Sequence, residues 1–114
     1  MNKKYIIKES KIFNDMIANC SKVMNSYFIV FYTKNSFPYN RYGITVGKKI
    51  GKAVTRNRLK RQVRAILSAY QKHCSFHTDC IIMVRKSSLL LNFSQLEQNL
   101  TYLLNKIKEN QNEA

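Results

Sequence analysis

Lys48, Lys49, Lys52, Arg56, Arg58, Lys60, Arg61 and Arg64 fall in one short stretch of the chain that contains no carboxylate. Side chains of this type at this density bind anions. Arginine offers a planar fork that grips phosphate through two parallel hydrogen bonds and can stack on a base, while lysine adds a mobile point charge. Gly47 and Gly51 bracket the first lysines, so the backbone itself can approach a phosphate there. A charged face of mixed sign is ordinarily just solvated. Here no acid stands three or four residues from any of these cations, and like charges along one helix cost stability. A polyanion removes that cost, which makes nucleic acid the natural partner.

Other chemistries are poorly supplied. His73, Cys74, His77 and Cys80 have metal-like spacing, a His-x-x-x-His pair with two thiols nearby. The competing reading is structural. Cys80 opens an apolar strand, where a thiol serves as a small buried residue, and His73 and Cys74 stand at the end of a helix. No metal is expected. As an acid–base pair the two histidines would lack orienting groups. Metal-dependent cleavage by a protein wants clustered carboxylates, whereas Glu9, Asp15 and Asp79 are scattered around the basic stretch. A P-loop is absent too: Gly47 and Gly51 are one residue too close, and Ala53 follows Lys52. The expectation is a binding protein with no catalytic residue of its own.

The elements that position the cations follow from periodicity. Leu59, Val63, Ile66, Leu67 and Tyr70 repeat at i, i+4, i+7, i+8 and i+11, one buried stripe of a helix running from about residue 55 to 71–73. At about 100° per residue, Asn57, Arg58, Lys60, Arg61 and Arg64 turn to the other side. Residues 1–9 form a basic lead-in of little periodicity. Ser10 is placed to cap a short helix over 10–19, with Ile12, Phe13, Met16 and Ile17 on one side. Strands are expected over 21–24, 27–33, 41–46 and 80–84, with a turn at 35–40 around the only proline. A last helix starts near Asn92 or Ser94, each able to form a capping box, with Gln95 or Glu97 respectively. Its stripe is Leu96, Leu100, Leu103, Leu104 and Ile107, and its tail frays from about residue 110. The order α-β-β-β-α-β-α predicts a single α+β domain over 1–114, a sheet packed by helices.

The 114 residues carry a net charge of +14, with no acid between Met16 and Thr78, so the positive field belongs to the folded middle of the domain. No apolar run reaches the roughly 18 residues of a membrane span, and no apolar segment follows the basic start as in a signal peptide. Cys20, Cys74 and Cys80 are odd in number, fit no disulfide framework and suit a reducing cytoplasm.

Val46-Gly47-Lys48-Lys49-Ile50-Gly51-Lys52-Ala53-Val54, followed by Arg56-Asn57-Arg58-x-Lys60-Arg61-x-x-Arg64, resembles the signature of the protein subunit of bacterial ribonuclease P. The resemblance extends over nearly the whole chain. Gly47 departs from it, since the family more often has Ser there. The resemblance implies a four-stranded sheet with a left-handed βαβ crossover, where physics alone would favour the right-handed one. It implies a ribonucleoprotein that removes the 5′ leader from precursor tRNA, with Mg²⁺ chemistry in the RNA subunit and none bound by the protein. The partners would be the catalytic RNA and the precursor, with no membrane and no further protein required. Arg56, Asn57, Arg58, Lys60, Arg61 and Arg64 would face the catalytic RNA, extended by Lys48, Lys49 and Lys52. Phe13, Ile17, Phe31 and Arg41 would line a leader cleft, Ile17 standing where a second helix aromatic is common. Arg85 and Lys86 are weaker candidates for binding phosphate. The alternatives are an architectural RNA-binding protein of ribosomal type and an autonomous nuclease.

Overall fold

A computed structural model describes residues 3–73 and 77–112 of the chain. After a 3₁₀ turn at Lys3–Tyr5 come α1 (Ser10–Asn19), β1 (Ser21–Met24), β2 (Phe28–Lys34) and β3 (Arg41–Val46). A second 3₁₀ turn, Lys48–Ile50, leads into α2 (Ala53–His73), followed by β4 (Thr78–Val84), a third 3₁₀ turn at Lys86–Leu90 and α3 (Phe93–Asn112). The strands form one sheet in the order β1-β2-β4-β3, antiparallel except for the parallel pair β3–β4 that α2 connects.

Strand alternation gives the sheet two apolar faces. Phe28, Val30, Tyr42, Val46, Cys80, Ile82 and Val84 point to one, where α2 contributes Leu59, Val63, Ile66, Leu67 and Tyr70, and α3 contributes Leu96, Leu100, Leu103, Leu104 and Ile107. Both predicted helix stripes are buried whole. Tyr70 Oη donates to Asn105 Oδ1 at 2.8 Å, tying the two helices together. The other face holds Phe31 and Ile81 with Ile7 and Met16, and against these pack Phe13, Ile29 and Met83. Among the described helices the ten-residue α1 covers it, with Ile7 of the lead-in beside it.

Gly43 lets α1 sit down. A β-carbon there would lie 2.4 Å from Phe13 Cζ and 2.9 Å from Ile81 Cδ1, so no side chain fits without displacing the ring. From Phe13 on β3 the helix crosses to β1, since Cys20 leads directly into Ser21. It therefore divides this face in two.

One expectation needs correction, and the lead-in makes contacts that its lack of periodicity did not announce. The residue at the α1 N-cap is Glu9, not Ser10, and no side chain caps it. The lead-in is structured: Ile6 bridges to Tyr42, the Ile7 amide donates to the Tyr42 carbonyl at 2.8 Å, and Ile7 is buried. α3 spans Phe93–Asn112. Its start follows the first of the two capping boxes, with Gln95 N donating to Asn92 Oδ1 (2.9 Å) and Asn92 N to Gln95 Oε1 (3.0 Å).

Candidate nucleic-acid interface

Burial of the Leu59–Tyr70 stripe fixes which way the cations of α2 point. Asn57, Lys60, Arg61 and Arg64 line one shallow concavity together with Val54, whose side chain is largely exposed. Arg58 stands exposed on its flank. Arg56 lies nearer the core stripe, and its Nε donates to the Gly51 carbonyl at 3.1 Å, bracing the loop that enters the helix. None of Arg58, Lys60, Arg61 and Arg64 pairs with a carboxylate among the described residues. Gly51 has φ 157°, while Gly47 is ordinarily extended with open space where a β-carbon would stand. A serine would fit at 47 without strain.

A second surface gathers residues that sequence spacing kept apart. Where α1 leaves the sheet uncovered, an open groove of about 710 Å³ has Ile29, Thr45, Met83 and Ile50 in its lining, with Lys48, Lys49, Arg85 and Lys86 around it. The 3₁₀ turns at Lys48–Ile50 and Lys86–Leu90 bring the four cations there. The second turn is anchored by Ser87 Oγ donating to the Ser26 carbonyl (2.6 Å) and Arg85 Nη1 to that of Asn25 (3.1 Å). A narrower cleft at the outer edge of β3 is lined by Ile6, Phe13, Tyr42 and Ile44, and by Lys60 and Arg64 of α2.

Phe13 and Phe31 share the apolar cluster under α1, and none of Phe13, Ile17, Phe31 and Arg41 is in the lining of the open groove. Phe13 is half-buried on Gly43, and Phe31 lies beneath α1 at 7% exposure. Ile17 is exposed on the helix. Arg41 is at the opposite end of the sheet face from the groove. Its Nε and Nη2 reach the two carboxylate oxygens of Asp79 at 2.8 and 2.5 Å, and its guanidinium lies 4.6 Å from the Phe37 ring centroid. The Asp79 hydrogen bond, opposed by burial, raises the Arg41 pKa, so this cation stays charged at any ordinary pH. The floor of the groove, Ile29, Thr45 and Met83, was missed. Strand alternation could have put each on the α1 face, but only the strand order makes them neighbours.

Of the four candidate metal ligands, His77 and Cys80 fall fully among the described residues. Cys80 is buried on the α2/α3 face, where loss of solvation pushes its thiol pKa far up. His77 pairs through Nδ1 with the Phe37 carbonyl oxygen at 2.6 Å. Cys74 and the side chain of His73 lie outside the described residues. Among the described residues no three His, Cys, Asp or Glu converge, and no helix is long and apolar enough to cross a membrane.

The comparisons with known proteins agree with one another. The Ribonuclease P family model matches residues 1–108. The ribonuclease P protein component of Mycoplasma mycoides is 41% identical over 95% of this chain and 100% of its own length. That of Streptococcus pyogenes is 36% identical over 91% and 87%. Among solved structures, a Staphylococcus aureus RNase P protein mutant with defective mRNA degradation activity superposes with a TM-score of 0.86. It is 30% identical, covering 93% of this chain and 90% of that one. The RNase P protein of Thermotoga maritima gives 0.80 at 30% identity, covering 88% and 94%. The cation-bearing α2, the half-covered sheet and these likenesses converge, and the chain belongs to the ribonuclease P protein family, the protein subunit of an RNA-containing endoribonuclease that matures the 5′ end of tRNA.

Proposed function

We propose that this chain binds the catalytic RNA of ribonuclease P through the outer face of α2 and holds the 5′ leader of precursor tRNA in the groove beside α1. The observation that carries the reading is the concavity of Asn57, Lys60, Arg61 and Arg64, whose cations have no carboxylate partner among the described residues. Phosphates would supply the missing counter-charge. Arg58 and Lys52 extend this surface, and Arg56 holds the loop in place.

The groove suits a single strand of any sequence. Ile29 and Met83 offer bases an apolar floor, and Lys48, Lys49, Arg85 and Lys86 stand where backbone phosphates would run. Phe13 seats α1 over Gly43, and Phe31 supports that helix from below. The chain brings no converging carboxylates among its described residues, so Mg²⁺ would be held by phosphates of the RNA subunit, which supplies the phosphodiester chemistry. Cys20 and Cys80 are free thiols, as a reducing cytoplasm keeps them.

The test is reconstitution at low Mg²⁺ with a bacterial ribonuclease P RNA and a precursor tRNA. Leader removal should require both protein and RNA. Arg58→Ala/Arg61→Ala/Arg64→Ala should stay folded and weaken RNA binding, flattening the slope of log K against log salt by about 0.7–0.9 for each phosphate left without its cation. An unchanged slope removes α2 from the interface. Cleavage by nuclease-free protein alone would make it an autonomous enzyme, and binding without any effect on processing an architectural protein.

A further inference from the structure

Beyond α1, at the end of the sheet away from the leader groove, the turn between β2 and β3 builds an aromatic cluster that neither surface uses. Phe37 stacks on Tyr39 with ring centroids 5.4 Å apart and planes 25° from parallel. Tyr5, from the lead-in, meets Tyr39 edge-on at 5.1 Å. The Lys4 ammonium lies 5.1 and 5.3 Å from the centroids of Tyr5 and Tyr39, and Arg41 backs Phe37.

The turn is held rigid from behind. Asn35 Nδ2 donates to Asp79 Oδ1 (2.8 Å) and to the Tyr39 carbonyl (3.3 Å), and the Asn35 amide donates to the His77 carbonyl at 2.9 Å. A cluster that only pinned the lead-in would bury its rings, as Ile7 is buried next door. Phe37 instead leaves 36% of its surface in water, and Tyr5 and Tyr39 are only half-buried.

We propose that this cluster is a second stacking site, which takes one unpaired base of the catalytic RNA. Aromatic rings accept any base, and the exposed Lys4 ammonium can turn from the ring faces to the neighbouring phosphate. The choice of RNA follows from continuity. Tyr5 adjoins Ile6, which lines the β3-edge cleft together with Lys60 and Arg64 of the α2 face. RNA seated on α2 thus reaches the cluster across that cleft. The leader groove lies at the Thr45 end of β3, about 13 Å along the strand from Arg41, with Phe13 on Gly43 between them. The inference rests on the α2 reading above.

The experiment titrates wild-type protein and Phe37→Leu/Tyr39→Leu with a ribonuclease P RNA transcript, then assays holoenzymes on precursors with long and minimal leaders. The double variant should bind the RNA about 5- to 100-fold more weakly. Its salt slope should match the wild type, because stacking releases no counterions. Phe37→Tyr/Tyr39→Phe, which keeps both rings, should bind as wild type does, and leader length should not alter the loss. Equal affinity of the leucine variant and the wild type overturns the site, as does equal weakening by the ring-preserving pair. A loss confined to long-leader precursors makes it a leader site and also overturns the proposal. Circular dichroism checks the fold. Should the double variant unfold, Phe37→Leu alone, at the exposed ring, carries the same test. Wild-type protein that bound the transcript without salt dependence would instead sink the α2 reading.

Discussion

The two faces of the sheet use the same alternating apolar strands and end in opposite conditions. One is closed by α2 and α3, of 21 and 20 residues, and its core residues are nearly all below a few per cent exposure. The other is given the ten-residue α1, which reaches across the strands but not along them. Phe31 and Ile81 disappear beneath it, whereas Ile29 and Met83, two residues further along the same strands, stay half-buried. Apolar surface left in water costs about 25 cal/mol per Å². This protein leaves it beside four cations, the combination a flexible polyanion with apolar bases can use. The short helix thus makes both a small core and a binding surface from one sheet face.

The comparison can be broken at three places. Phe31→Ala, under α1, should cost about 3–5 kcal/mol in urea or thermal unfolding, as for a fully packed phenylalanine. It should harm long-leader and minimal-leader substrates equally. A near-neutral stability change with a leader-specific loss would move Phe31 from the core to the cleft. Gly43→Ala should cost about 1–3 kcal/mol, because the new methyl meets the Phe13 ring and the neighbouring Ile81. Phe13→Ala in the same chain should recover part of that loss, and a double mutant no better than the sum of the singles would refute the clash. Lys86→Ala, on the groove, should change stability by less than about 0.5 kcal/mol. Affinity for long-leader precursor should fall, with a salt slope flatter by about 0.7. Equal losses with minimal-leader substrate would detach Lys86 from the leader.

Much of this fold was legible because its elements follow local rules. The Leu59–Tyr70 stripe, the bounds of β3 and the Asn92–Gln95 box all depend on residues near one another in the chain. The cations of α2 were legible for the same reason, as charge at helical spacing. What escaped depended on distant partners. Ile6 and Ile7 carry no periodicity and become ordered only against Tyr42. Arg41, a leader-cleft residue by resemblance, finds its carboxylate in Asp79, 38 residues later, which the β3–β4 register sets beside it. The groove floor needs three strands in the right order and a helix that stops short, which no window of sequence contains.

The β3 edge bears on how the protein behaves at high concentration. An outermost strand with unpaired amides is a template on which a second molecule can add its own strand, the start of many aggregates. Here, among the described residues, the lead-in bridges the edge at Tyr42, and Lys60 and Arg64 overhang the cleft beside Ile44. Two molecules approaching edge to edge would press those cations against their own copies, so repulsion guards the strand. High salt or a short polyphosphate would lift that guard, and the clear solution should then turn cloudy.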